Sequence, residues 1–539
     1  MRRKEKGNVF DSGGRTTIAV VFLVKDPAHE GPAVLHYRDV GDYLSREDKL
    51  RIVAESQIDT LEWEIITPNA QGDWINQRDP NYESWQSIGE GQAPIFASYT
   101  AGLQTNRDAW VYNFSLPGLR DSAQHLIETY NEERERVHRT RAADLKAGAK
   151  VRDLVTNDET RIKWTSGLYS DLAKNRAITY DAGATYCGLY RPFCKQWLNA
   201  SDGIIHRPAV LRRYFPTPGH DNIGFYLTGI SSHYDFGALI VDALPNLHVL
   251  DTGQFFPRWT WEPAGGRHAA ESGMLDLSGD EDAKKSSTAV GQEGEVVGGY
   301  RRVDNITDAT LRSYQAAYGP EVTKDDVFYY VYALLHSPEY RTRYGADLKK
   351  SLPHIPLVAS REDFVAFTTA GRGLADLHLD YESVEPTPLS LVVNGENVPW
   401  DLRETISPSL LHMEKMRYAR VRQDGRLQDD KTSIVYNEHV TISGIPIQAQ
   451  DYLLGSRSGL DWLLDRYRVS THKASGIVND PNDWMAEGAG GGPTASAQPR
   501  HLLDLIARIT TVSVRTQEVV NSLPPLDVKP TETPTQVEL

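Results

Sequence analysis

Asp-Asp-Val-Phe-Tyr-Tyr-Val-Tyr-Ala-Leu-Leu-His (325–336) decides the fold class. Wound at 3.6 residues per turn, it carries apolar or aromatic side chains on most sides, and such a helix belongs inside a core. The sequence around it is helical too. Asp-Asn-Ile-Thr-Asp (304–308) supplies capping residues, Pro338 can open the next helix, and 362–379 predicts another. On either side the period changes to two. Upstream, 180–260 interleaves Gly, Pro and aromatics with strand-like runs at 223–227, 236–241 and 248–250. Downstream, 386–448 alternates again, with Leu-Ser-Leu-Val-Val (389–393) and Thr-Ser-Ile-Val-Tyr (432–436). Helices and strands segregated in this way predict an α+β fold, mixed β-rich and helical.

Farther out, residues 17–24 form a continuous apolar, β-branched run that predicts a buried strand, with 34–37 as its neighbour. Ser45 caps a helix beginning with acids. Residues 121–141 predict a long helix whose charge run, 132–141, reads as a solvated face. Residues 448–465 and 501–523 predict closing helices. Residues 488–493 and the Pro/Thr-rich end predict disorder.

At 539 residues the chain exceeds one ordinary domain. Its 40% hydrophobic and 24% charged residues are ordinary for a globular protein. No apolar run approaches the ~18–20 residues that cross a bilayer, and the N-terminus lacks a signal-peptide core, so a cytoplasmic location is expected. Two cysteines, Cys187 and Cys194, fit a reducing compartment and buried thiols rather than a zinc site. The net charge of −15 argues mildly against nucleic acid. It does not exclude it, because only a docking face must be positive and screening hides an acidic far side.

Five phrases, in order, carry a resemblance: Gly-Asp-Trp-Ile-Asn-Gln-Arg (72–78), Thr-Asn-Arg-Asp-Ala-Trp-Val-Tyr-Asn-Phe (105–114), Tyr-Arg-Pro-Phe (190–193), Asp-Arg-Tyr (465–467) and Ser-Gly-Ile-Val-Asn-Asp-Pro-Asn-Asp-Trp (475–484). Together with 328–341 and 376–379, they resemble the C-terminal specificity region of Type ISP restriction-modification enzymes. That family joins a nuclease, a helicase-like motor, an adenine-N6 methyltransferase and a target-recognition domain in one polypeptide. The resemblance covers most of 8–525. One departure is Cys194, where an acid is expected after the Tyr-Arg-Pro-Phe phrase. The resemblance implies this organisation: 1–60, the closing part of a methyltransferase-like domain, its terminal sheet strands included; 61–262, a first target-recognition part; 301–385, a helical section; and 386–525, a second target-recognition part. Outside it, 263–300, rich in Gly, Ser, Ala and charge and poor in apolar residues, predicts a flexible insertion, and 526–539 a disordered tail. The resemblance further implies double-stranded DNA as partner, with an upstream chain bearing nuclease, helicase and methyltransferase domains in a phage-defence system. S-adenosylmethionine, ATP and Mg would serve those domains, and no cofactor is expected in this chain.

The catalytic motifs of such enzymes are missing from the sequence. There is no Gly-rich donor turn, no Asn-Pro-Pro-Tyr loop to hold a flipped adenine, and no Gly-x-x-x-x-Gly-Lys-Ser/Thr phosphate cradle. Asp79-Pro-Asn-Tyr82 lacks the second Pro and reads as a decoy, as does Asp480-Pro-Asn-Asp483. No metal site or catalytic residue is expected, and His220, His233 and His248 read as structural or surface histidines.

Base reading needs Arg for guanine and Asn or Gln for adenine, with further cations on phosphates. Candidates are Asn76, Gln77 and Arg78 after a Gly-Asp turn, and Asn106 and Arg107 before the strand-like 109–112. Others are Arg191, the group Arg207, Arg212 and Arg213, and Lys473 and Asn479, which flank Ser475-Gly-Ile477. Trp74, Trp110, Trp197 and Trp259 are expected in the core. The reading is a specificity module that positions a target adenine for a methyltransferase in another chain. The alternatives are a methyltransferase subunit active with a partner, and a protein-docking scaffold using 304–380.

Overall fold

The computed structural model describes residues 9, 18–41, 44–75, 77–206, 208–230, 232–264, 294–423, 425–485 and 498–530. Asn76, Arg207, most of the insertion, the 488–493 stretch and the last nine residues lie outside this set. The fold mixes helices and sheets, as the two periodicities require.

The long helices follow their apolar faces. Lys324–Leu334 opens on a capping box in which Thr323 and Asp326 satisfy each other's backbone N–H groups. Seven of its eleven residues are buried, from Val327 to Leu334. It packs on Arg361–Leu379, and the two backbones meet at Gly371, where an added Cβ would fall onto the Tyr329 carbonyl. Phe96, Phe225, Phe256, Phe328, Tyr330, Tyr332 and Phe364 fill the aromatic core around this pair. The three-stranded sheet of Gln254–Pro257, Gly224–Leu227 and Ala238–Val241 supplies much of its floor.

A second core lies around a four-stranded sheet in the order Tyr112–Asn113, Cys194–Asn199, Thr185–Arg191, Leu244–Pro245. Leu116–Thr140, capped by Ser115, lays Leu119, Leu126, Ile127 and Tyr130 against it. A five-stranded antiparallel sheet, ordered Glu396–Val398, Ser390–Val393, Val440–Ser443, Arg426–Val435, Arg417–Gln423, contributes Leu391, Ile434 and Ile442. Helix His501–Asn521 joins the two cores: Leu502 to Val512 lie in the second, Val520 in the first.

Several sequence expectations are corrected. Residues 18–24 form no strand, and Val20, Phe22, Leu23 and Val24 are 73–90% exposed. A strand needs neighbours for its backbone N–H and C=O groups, and none of the described residues pairs with it. Its expected neighbour, Leu35–Tyr37, pairs instead with Glu64–Ile66. Residues 448–465 do not make one helix. Gly455, at φ +67°, turns the chain between two short strands, and the helix is only Gly459–Arg466. Residues 248–250 are a turn, and 108–111 are one helical turn before the strand at Tyr112. The part of the insertion that is described is ordered: Tyr300–Asp304 pairs with Trp259–Pro263 and with Val296–Val297. Trp110 and Trp197 are core residues as expected, whereas Trp74 is 47% exposed. Cys194 is buried, which pushes its thiol up to about 12, and Cys187 is half-buried. Among the described residues no helix is long and apolar enough to cross a membrane.

A buried polar chain ties the elements together. The backbone N–H of Ile240 donates to the Tyr332 hydroxyl at 3.0 Å. That hydroxyl lies 2.6 Å from His378 Nδ1, and His378 Nε2 lies 2.8 Å from the Thr516 hydroxyl. Burial, reinforced by the charge of Arg341, lowers the His378 imidazole to about 3. His336 is lowered well below 6.5 for the same first reason.

This packing can be tested in two ways. Gly371→Ala should cost about 1–3 kcal/mol or more in urea unfolding, because neither backbone has room to yield. An unfolded chain binds protons at His378 and His336 below about pH 6.5 that the folded chain refuses, so stability is lost as pH falls from 6.5 toward 3. His378→Gln should flatten this loss by up to about 1.4 kcal/mol per pH unit, read by denaturant unfolding at pH 7, 6 and 5.

Candidate nucleic-acid interface

Three segments far apart in sequence meet beside the four-stranded sheet. The first is the turn at 104–107. Thr105 Oγ1 accepts the Arg107 N–H at 3.1 Å and donates to Asp108, which opens the short helix Asp108–Val111. Asn106 takes a φ of +56°, a left-handed conformation that Asn tolerates better than most residues, and is exposed. The second is the hairpin of Ser470–Thr471 and Val478–Asn479, whose turn is shaped by Gly476 at φ +71° and by His472 Nδ1, 2.8 Å from the Ser475 hydroxyl. The third, residues 163–165, precedes helix Ser166–Ala173 and presents Lys163 and Trp164.

Asparagine amides fasten these pieces. Asn113 Nδ2 donates to the Val478 carbonyl at 3.0 Å, and Asn479 Oδ1 accepts the Phe114 N–H at 2.9 Å. Asn479 Nδ2 reaches Gln196 Oε1 at 3.2 Å. The Asp-Arg-Tyr phrase is tied to Tyr-Arg-Pro-Phe by Tyr467, whose hydroxyl donates to the Phe193 carbonyl at 3.0 Å, and the late phrase is secured again by Trp484, packed against Phe114 and Trp197. The Tyr-Arg-Pro-Phe phrase ends the strand Thr185–Arg191 and makes the turn into Cys194–Asn199 at Pro192 and Phe193, the latter at φ +56°.

Between the segments opens a cleft of about 800 Å³. Its floor includes Arg107, which is 2% exposed. One guanidinium nitrogen donates to Thr165, while Nε and Nη1 have no partner among the described residues. Burial lowers this guanidinium to about 10, so it still carries its charge at neutral pH. Gln104, Asn106, Lys163, His248 and His472 also line the cleft, and the exposed Lys473 stands next to His472 at the hairpin turn. The chemistry is cationic, amide-rich and aromatic, suited to an anionic, hydrogen-bonding ligand.

The candidate residues separate into groups. Asn106, Arg107, Lys473 and Asn479 converge at this cleft or its edge. Arg107 is too deep to meet a duplex surface, and both ends of the Asn479 amide hold protein, so neither is a free base reader. Arg191 is also committed: it donates to Asn246 Oδ1 at 3.1 Å and lies over the Tyr190 ring. Gln77 donates to the Thr67 carbonyl at 2.7 Å, and Arg78 pairs with Asp73 at 2.9 Å, so both shape their own loop. Lys350 shares Asp73, whose carboxyl is held well below the usual range by hydrogen bonds from Lys350, Asn69 and Arg78. Arg212 and Arg213 are exposed on helix Ala209–Tyr214, away from the cleft, with Asp202 3.8 Å from Arg212. Gln104, Lys163 and Trp164 were not singled out from sequence, because no local pattern distinguishes them from ordinary loop residues. The decoy Tyr82 is fully buried, donating to the Leu352 carbonyl, and cannot stack on a base. Among the described residues no three His, Cys, Asp or Glu side chains form a group that could hold a metal ion.

Asn479→Ala should cost about 1–3 kcal/mol, because it strands the buried Phe114 N–H. Amide hydrogen exchange should locate the loosening in 470–479.

Comparison with known proteins places this architecture. The family model described as the Type ISP C-terminal specificity domain matches residues 94–502. Among solved structures, the chain is similar to a nuclease-deletion mutant of the Type ISP restriction-modification enzyme LlaGI in complex with a DNA substrate mimic. That match has 31% identity and a TM-score of 0.74, over 98% of this chain and 42% of that one. It is also similar to the ATP-dependent Type ISP restriction-modification enzyme LlaBIII bound to DNA, with 26% identity and a TM-score of 0.69, over 94% of this chain and 28% of that one. A third match is the DrdV–DNA complex, with 26% identity and a TM-score of 0.71, over 98% of this chain and 46% of that one. The chain therefore spans less than half the length of each of these proteins. No curated protein matches.

Proposed function

Because the chain belongs to the family of Type ISP C-terminal specificity domains, we propose that it recognises a short sequence in double-stranded DNA for a restriction-modification system. The observation that carries this reading is the cleft beside the asparagine-fastened hairpin, edged by Lys163, Asn106 and Lys473 on a chain of net charge −15. Cations concentrated at one edge of an acidic protein offer a local phosphate grip, while the remainder is screened over about 10 Å at 0.1 M salt. The DNA held by the three similar structures supports the same reading.

Recognition on this proposal presents a target adenine to a methyltransferase domain outside the chain, and a nuclease and motor act on unmodified DNA. S-adenosylmethionine, ATP and Mg belong to those other domains. The exposed apolar segment 18–24 is the natural place for such a domain to join, since a partner sheet would satisfy its backbone and cover its side chains. The chain's own residues bind and orient DNA, and no bond-making step is assigned to them.

Binding to a pool of mixed duplexes, followed against salt, tests the proposal. Lys163→Ala with Lys473→Ala should lower the slope of log affinity against log salt by about two units, one for each phosphate no longer gripped. No duplex affinity at low salt, alone or with an upstream methyltransferase chain present, would end the proposal.

A further inference from the structure

The strands Arg417–Gln423 and Arg426–Val435 form a two-stranded ribbon that leaves the body of the protein. Its base is anchored. Tyr418 and Ile434 are buried, and Lys431 bonds Asp461 at 2.8 Å while lying over the Tyr418 ring. A register shift between Tyr418 and Ala419 marks where the anchored part ends. Beyond it, Arg420 to Gln423 and Arg426 to Asp429 are all exposed. A bare hairpin is marginally stable by itself, so one projecting with both faces uncovered suits a ligand that surrounds it.

The register sorts the side chains. Directly paired residues share a face, so Val421, Gln423, Arg426 and Gln428 stand together on one side. Arg420, Arg422, Leu427 and Asp429 stand on the other, with Arg420 Nε 3.6 Å from Asp429. Among the described residues nothing ion-pairs Arg422 or Arg426; Asp424 lies outside that set. The outer part of the first face thus carries two carboxamides, one guanidinium and one aliphatic group. Those are the groups that match adenine, guanine and the thymine methyl in a major groove. The next residue on that face, Asp430 opposite Ala419, is nearer the base of the ribbon and is held by the Thr432 N–H and hydroxyl. The four exposed residues from Arg420 to Gln423 extend about 13 Å, enough to reach the floor of a groove about 8.5 Å deep that admits a two-stranded ribbon.

Resting on the DNA-recognition reading above, we infer that this ribbon enters the major groove of duplex DNA. Gln423, Arg426 and Gln428 read base edges there, and Arg422 faces a phosphate strand. The occupant is DNA rather than a protein, because the outer three pairs, 421–423 with 426–428, carry two arginines and two carboxamides and no described acid.

The full chain is tested by selection from duplexes randomised over their central base pairs, alongside Gln423→Ala/Gln428→Ala and Arg426→Ala. These side chains are exposed, so the thermal unfolding of the variants should match the parent. The parent should enrich a motif. The variants should lose preference at up to about three adjacent positions, by roughly 10- to 100-fold each, and keep the remainder. DNA should also slow amide exchange in 417–435. Variants that select the parent's motif with equal affinity overturn the ribbon assignment and leave DNA recognition standing. A parent that binds duplex but enriches no motif, or exchange slowed only by a protein partner, overturns it too. A parent with no duplex affinity overturns both.

Discussion

The reciprocal asparagine contact between Asn113 and Asn479 is the constraint on which the proposed interface depends. These residues are 366 positions apart in a chain of 539. Each carboxamide answers a backbone group of the other segment: Asn113 the carbonyl of Val478, Asn479 the N–H of Phe114. Both residues are largely removed from solvent, so an unanswered amide there would be costly. The contact fixes where hairpin 470–479 sits relative to the turn at 104–107, and hence the shape of the cleft between them. Tyr467 on Phe193 and Trp484 on Trp197 repeat the attachment from neighbouring positions.

This arrangement separates rigidity from exposure. The two cores are dense and aromatic, and helix His501–Asn521 with the Tyr332–His378–Thr516 chain couples them. Between them His378 stays neutral and is hydrogen-bonded through both ring nitrogens. The cleft differs. Arg107 keeps a charge at 2% exposure with two nitrogens unanswered, an expensive placement for a group that served packing alone. Exposed cations and amides stand around it on turns held from behind by the core. A binding surface set on elements that cannot drift loses little entropy when a ligand arrives.

Much of the fold was legible in the sequence. Apolar residues on most sides predicted helix Lys324–Leu334, a closing helix was expected over 501–523 and is His501–Asn521, and Ser45 predicted the start of Arg46–Glu55 and caps it by accepting the Asp48 N–H. Less of the site was legible. Four of the five phrases converge on one junction, but their residue types alone suggested base readers. Asn479, Arg191, Gln77 and Arg78 turned out to be occupied by protein partners. Lys163 and Gln104 carried no local signal at all.

The sequence by itself determined which segments bury their side chains and where helices begin, because those outcomes follow from periodicity and from caps a few residues apart. Only the tertiary structure decided which polar side chains remain available. An amide or guanidinium is spent or free according to what stands within about 3 Å of it, and here that neighbour often lies far away in the chain. The same holds for 18–24, whose apolar pattern is strand-like but whose backbone finds no neighbour to pair with among the described residues. It holds equally for the Arg417–Val435 ribbon, whose exposure comes from the absence of any described element packed over its outer half.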